Sequence, residues 1–200
     1  MRHGANAIGL VAEMPSGPGT LKDPQIRDIA RSVPPGVDTF LLTSRTQASD
    51  IADHIRYCGT NTVQIVTHIE PGELEALARA LPATRRVQVI HVEAREALDL
   101  IPAYEPFVHA FLLDSGRPNQ ATPEYGGTGR THDWSISREF VNRSSKPVFL
   151  AGGLSAHNVA QAYQHVHPWG LDLCSGVRTR GALDEEKLTA YMRAITSATA

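Results

Sequence analysis

Seven short apolar runs punctuate this chain, and their spacing constrains the fold more than any other feature. They are Ala7–Val11, Thr39–Leu42, Thr62–Val66, Val87–Val92, Ala110–Leu113, Pro147–Ala151 and Leu171–Cys174. Most lack the polar alternation of a half-exposed strand, so they read as strands buried on both faces, as in a parallel sheet. Amphipathic stretches lie between them: Pro24–Arg31, Ala48–Tyr57, Glu73–Ala80, Ala94–Leu100, Ser135–Asn142, Ala156–Val166 and Glu185–Thr196. Asp23 before Pro24 reads as an N-cap with Pro at the first helical position, and Gly59 reads as a C-cap. Strand starts recur about every 27 residues, the size of one βα unit.

This pattern predicts an α/β fold of the (β/α)8 TIM-barrel type, with one domain spanning residues 1–200. Seven strands are visible where a closed barrel has eight. The opening Arg2-His3-Gly4-Ala5 reads as the last turn of a helix already under way, so the first strand is expected to lie outside the chain. An open sheet edge would then invite cover from a partner chain, and a homodimer is one expectation.

Composition removes several classes of function. At 42% hydrophobic and 20% charged residues the chain is too apolar for disorder. A net charge of −2 offers no basic field to nucleic acid. The apolar runs fall far short of the roughly 20 residues of a membrane span, and the N-terminus carries no signal-peptide h-region, so the expected compartment is the cytoplasm. Two cysteines cannot build a disulfide framework. No CxxC, HxH or HExxH spacing exists, so no metal is expected. The helix histidines, His54 among them, read as solvated.

In a parallel barrel the reactive groups sit at the C-terminal ends of the strands. Asp114 follows directly on the apolar run that ends at Leu113, where a carboxylate is costly unless hydrogen-bonded or used. It reads as an N-cap or as a reactive acid. The next two strands end in Gly152-Gly153 and Ser175-Gly176. Glycine turns on consecutive strand ends let backbone N–H groups converge on an anion, so these four residues are the expected phosphate cradle. A third glycine segment, with Gly127, Thr128 and Gly129, reads as a loop that folds over a ligand. Cys174 reads as a buried structural cysteine or as a thiolate beside the cradle. His91 and His68 stand where they could face the mouth.

These residues resemble a known family. Gly4-Ala5-Asn6-Ala7-Ile8-Gly9-Leu10-Val11, Val63-Gln64-Ile65, Leu112-Leu113-Asp114-Ser115, the GGTG at 126–129 with Asp133-Trp134, Leu150-Ala151-Gly152-Gly153-Leu154 with Asn158-Val159, and Asp172-Leu173-Cys174-Ser175-Gly176-Val177 follow in order. The series is similar to that of the phosphoribosylanthranilate isomerases of tryptophan biosynthesis and covers nearly the whole chain. The resemblance implies an Amadori rearrangement of phosphoribosylanthranilate to the 1-(2-carboxyphenylamino)-1-deoxyribulose 5-phosphate, without metal or cofactor. An acid protonates the furanose ring oxygen, the ring opens to an imine, and a base removes the C2′ proton. The resemblance implies Asp114 as the acid and a phosphorylated small molecule as the substrate.

The sequence departs from that pattern at several places. The family's base is a cysteine in a KxCG motif on a strand before the first one visible here, which makes Cys174 the first candidate for the base and His91 the next. The histidine of the family's VQLHG is replaced in Val63-Gln64-Ile65-Val66-Thr67. The arginine of its SxRY segment is absent from Ser16-Gly17-Pro18-Gly19, and its SGVE ends here in Arg178. Arg45 and Arg178 are the cations that could replace that arginine in the substrate loops. Three readings stay open: an isomerase whose recorded start is late, a phosphate-binding paralogue without isomerase activity, and another sugar-phosphate enzyme of the same fold.

Overall fold

A computed structural model describes residues 3–15, 19–116 and 131–199. Seven parallel strands form one sheet in sequential order. They are β1 (Ala7–Val11), β2 (Asp38–Thr43), β3 (Thr62–Ile65), β4 (Arg85–His91), β5 (Ala110–Asp114), β6 (Val148–Leu150) and β7 (Gly170–Leu171). The crossovers are α1 (Asp23–Ser32), α2 (Ala48–Cys58), α3 (Pro71–Ala80), a 3-10 turn Arg95–Leu100 running into α4 (Ile101–Tyr104), α5 (Trp134–Arg143) and α6 (Val159–Val166). A final helix, α7 (Glu185–Thr199), packs against α6. Each predicted run became a strand with bounds shifted by a few residues, because apolar runs locate strands better than their ends.

The sheet curls, and its two faces build separate cores. Side chains that alternate outward, such as Leu41, Val63, Ile65, Phe111, Leu113 and Leu150, pack under the helices. Phe111 meets Phe140 of α5 edge to face, with ring centroids 5.2 Å apart. The other set, Val66, Val87, Val89, Ala110, Leu112 and Ala151, forms an inner cluster with Phe40, Leu42 and Phe149 against it. A fully buried aliphatic side chain contributes about 1.5–3 kcal/mol, so these paired cores hold the curl.

β1 and β7 end the sheet and do not pair with each other. The architecture is therefore the barrel type with seven strands, as expected. β7 is shorter than the predicted Leu171–Cys174, because a strand paired on one side only soon leaves the ladder. After it come a 3-10 turn, Ser175–Val177, and a hairpin of β8 (Arg178–Thr179) and β9 (Ala182–Leu183). Arg180 and Gly181 both have positive φ, as a two-residue hairpin turn requires.

Two local expectations changed. Asp23 is the first residue of α1 rather than its cap, because its carboxylate is drawn to His54 Nε2, 2.9 Å away. His54 is accordingly buried between α1 and α2 rather than solvated. Gly59 caps α2 as expected, at φ 69° with its N–H on the Ile55 carbonyl.

Candidate active site

The ends of four neighbouring strands carry one row of side chains. His91 pairs with Asp114 across β4 and β5, while Leu113, Leu150 and Leu171 are level across β5, β6 and β7. The hydrogen bonds from Ala151 N to Leu113 O and from Asp172 N to Leu150 O extend that register by one residue. His91, Asp114, Ala151 and Asp172 thus form a single layer. Alternation from Val89, Leu112 and the outward Leu171 turns all four toward the inside of the curl.

Asp114 is buried, and Oδ1 accepts the backbone N–H of Ser115 at 2.7 Å. Burial pushes its pKa up to about 6, against the opposing pull of the Ser115 hydrogen bonds. Asp172 is half-buried, with protein crowded round it. Its pKa is also raised to about 6, by burial first and then by the charge of Asp114. No salt bridge to either carboxylate occurs among the described residues. His91 donates from Nε2 to the Val66 carbonyl at 2.8 Å, which fixes the neutral tautomer, and burial lowers its pKa. The His68 ring stacks on it with centroids 6.0 Å apart. Two histidines therefore flank the place where the family's own histidine is replaced by Val66.

The glycine turns after β6 and β7 meet. A Cβ on Gly176 would lie 1.9 Å from the Leu154 carbonyl oxygen, so glycine alone permits that approach. Gly152 and Gly153 have φ of 83° and 62°. Asn158 pins their turn, donating to the Gly153 carbonyl and accepting from the Ser155 N–H. A cavity of about 730 Å³ opens there, lined by Thr131, Gly153, Leu154, Ser155, Asn158, Ser175 and Gly176. Among the described residues its lining holds no charged side chain, so from these an anion there would meet backbone and hydroxyl dipoles.

Three of the four expected cradle residues, Gly153, Ser175 and Gly176, line this cavity. Gly152 lies against Asp114 instead, where a Cβ would come within 3.1 Å of Asp114 Oδ1. Cys174 is half-buried at the head of the Ser175 turn, between Asp172 and the cradle. Arg45 stands apart: it donates to the Asp50 carbonyl and lies 3.7 Å from Asp23, in the layer of α1 and α2. Arg178 donates to the Gly181 carbonyl within its own hairpin, and its guanidinium approaches Gly19. Gly127, Thr128 and Gly129 lie outside the described residues.

The residue that sequence reasoning missed is Asp172. Its signal was present, a carboxylate one residue beyond an outward Leu171, but only the register places it level with Asp114. Among the described residues, one group could offer atoms to a metal ion: Asp23, His54 and Cys58, within 4.8 Å of one another. It lies in the outer helical layer, and there the His54–Asp23 hydrogen bond clasps α2 to α1.

The sequence matches the model of the family described as PRAI, N-(5'phosphoribosyl)anthranilate (PRA) isomerase, over residues 12–194. The N-(5'-phosphoribosyl)anthranilate isomerase of Methanocella arvoryzae is 33% identical over 174 residues, covering 87% of this chain and 79% of that protein. The fold is similar to phosphoribosyl anthranilate isomerase from Thermus thermophilus, with a TM-score of 0.79 at 22% identity over 98% of this chain and 90% of that one. It is also similar to a phosphoribosyl anthranilate isomerase in complex with reduced 1-(o-carboxyphenylamino)-1-deoxyribulose 5-phosphate, with a TM-score of 0.78 at 23% identity over 98% and 90% of the two chains.

Proposed function

The chain belongs to the N-(5'-phosphoribosyl)anthranilate isomerase family, and from that premise we propose that it catalyses the Amadori rearrangement of phosphoribosylanthranilate in tryptophan biosynthesis. The observation that carries this reading is Asp114: a buried carboxyl group with its pKa lifted to about 6, beside a cavity built of glycine turns.

Protonated Asp114 gives its proton to the furanose ring oxygen. The C1′–O4′ bond breaks with its electron pair left on O4′, and the anilino nitrogen's lone pair forms C1′=N. Loss of the C2′ proton then yields the enolamine, which ketonises to the product. The substrate phosphate rests on the backbone of Gly153, Ser175 and Gly176, and Gly152 keeps the wall open beside the acid. The acceptor of the C2′ proton belongs to the β7 rim, where Asp172 and Cys174 both stand. This makes the protein an aldose–ketose isomerase built as a single (β/α) barrel domain of residues 1–200.

No helix among the described residues is long and apolar enough to cross a membrane, and a small phosphorylated substrate suits a cytoplasmic enzyme. The unpaired edges of β1 and β7 support a homodimer as one form in which they are covered. Arg178, close to the loop before α1, is the cation best placed to meet a second anionic end of the substrate. Loss of phosphoribosylanthranilate fluorescence on adding the protein tests the activity. Turnover that disappears in Asp114→Asn supports it, and absence of turnover in the unaltered protein overturns it.

A further inference from the structure

We propose that Asp23, His54 and Cys58 form a binding site for a divalent transition-metal ion of the zinc class, set in the outer helical layer and separate from the strand-end acid Asp114. The proposal does not depend on the isomerase reading.

The donor set comes from two helices. His54 and Cys58 are four residues apart on α2, so both lie on one face of that helix. That face meets the start of α1, where Asp23 is the first residue. One nitrogen, one carboxylate oxygen and one sulfur from the three lie within 4.8 Å of one another. Donors on one tetrahedral zinc ion stand roughly 3.3–3.6 Å apart, given bonds of about 2.0–2.3 Å. His54 Nε2 and Asp23 Oδ1 are already 2.9 Å apart. Side-chain shifts of about 1 Å therefore bring the set to coordinating distance.

The donors are held from behind. His54 Nδ1 lies 3.5 Å from Thr43 Oγ1, at the end of β2. That hydroxyl can accept an Nδ1 proton and so leave Nε2 to the ion, the outer contact usual for a metal-bound histidine. Asp23 Oδ2 faces Arg45, 3.7 Å away, so Oδ1 is the oxygen turned to His54. Cys58 is a free and buried thiol. A clasp made by the His54–Asp23 hydrogen bond alone has no need of a thiol one turn further along the same face. The Asp23 side chain is 35% exposed, which gives an ion a way in from solvent and a water molecule the fourth position.

The chemistry of the set selects the ion. Sulfur and nitrogen donors suit zinc or cobalt(II), whereas magnesium and calcium take oxygen donors. Binding releases the thiol proton to solvent and leaves the imidazole proton on Nδ1. One carboxylate and one thiolate then balance the two charges of the ion, as a site this deep requires. Only the folded chain assembles the three donors, so the ion ties α1 to α2 and stabilises the fold.

The test uses the full chain without an affinity tag, reduced and freed of metal, titrated with Co²⁺ and followed by absorbance. One equivalent is expected to give the visible bands of tetrahedral cobalt together with a near-ultraviolet thiolate-to-cobalt band, and Zn²⁺ should remove both. Zn²⁺ at about a hundredfold excess over its Kd should raise Tm by several degrees. The chain has two cysteines, so the sulfur can be assigned. Cys58→Ala should abolish the thiolate band and the gain in Tm, and Cys174→Ala should keep both. Asp23→Asn and His54→Gln should each weaken Co²⁺ binding at least about tenfold, with circular dichroism confirming that each variant is folded. Asp23→Asn, at a partly exposed position, carries the test should Cys58→Ala not fold. Absence of the thiolate band in the unaltered protein overturns the proposal. So does a band that survives Cys58→Ala or is lost in Cys174→Ala, and so does full affinity in either Asp23→Asn or His54→Gln. Cobalt bound with weak octahedral bands only, as on surface histidines, overturns it as well.

Discussion

Asp114 at the end of β5 and Asp172 just past β7 stand level on the inner face of the sheet, with Ala151, just past β6, level between them. Both pKa values are lifted to about 6, and burial is the larger cause for each.

The pH dependence of turnover follows from Asp114. Its carboxyl group must be protonated to give up a proton, so kcat should fall as pH rises through about 6. A rate that stays flat from about pH 5 to about pH 9 would contradict Asp114 as the acid.

Stability should move the opposite way from activity when Asp114 is replaced. Its folded-state pKa of about 6 exceeds the ordinary 3.8, so the folded protein holds the proton more tightly than the unfolded chain does. The group's contribution is fully present below pH 3.8 and is lost as pH rises through 6. At pH 8 the buried charge costs up to about 3 kcal/mol. Asp114→Asn is therefore expected to raise Tm by several degrees at pH 8 and to leave it nearly unchanged at pH 4, read by circular dichroism.

The buried histidines carry the reverse dependence. His132 donates to or accepts from Ser137 Oγ at 2.6 Å, and burial lowers its pKa from 6.5 to about 4. His54 and His91 are lowered by burial as well. Below pH 6.5 the unfolded chain binds more protons at these sites, so their contribution is present above that pH and is lost as pH falls through the folded values. Tm should decline between pH 6.5 and pH 4, and His132→Gln should lessen the decline by an amount equivalent to about 1–3 kcal/mol. An unchanged slope in that variant would place the acid sensitivity elsewhere.

The glycine turns give a binding prediction with an internal control. Gly176→Ala puts a Cβ 1.9 Å from the Leu154 carbonyl oxygen, and Gly153→Val forces a branched residue to φ 62°. Each should weaken binding of the phosphorylated analogue at least tenfold in a calorimetric titration, an effect of about 1.4 kcal/mol or more. Gly181→Ala strains a hairpin turn at φ 81° with open space around it, and should cost about 1 kcal/mol of stability while leaving that affinity alone. Unchanged binding in both cradle variants would move the phosphate to another part of the mouth.

Much of the site was legible because its signals are local. Asp114 stands out as a carboxyl group at the end of an apolar run, and paired glycines mark close backbone approach wherever they occur. His54 was misjudged because helical position alone says nothing of the neighbouring helix that brings Asp23 to it. Gly152 reads from sequence as a cradle residue and from structure as the space beside Asp114, since one turn can serve two neighbours. Arg45 follows a strand end as a substrate-loop cation would, yet its guanidinium is held in the helical layer by Asp23 and Asp50.

By itself the sequence determined the order of seven strands and their helices, because unbroken apolar runs can be satisfied only in a sheet covered on both faces. It also marked where backbone segments approach closely, because that depends on the absence of a Cβ. The tertiary structure alone decided which groups share a space. Asp114 and Asp172 are 58 positions apart in the chain, and nothing in their local sequences relates them. Their encounter depends on the register of β5, β6 and β7, on the alternation that turns both inward, and on the small side chain at Ala151. Burial then sets their pKa values, and burial belongs to the folded protein as a whole.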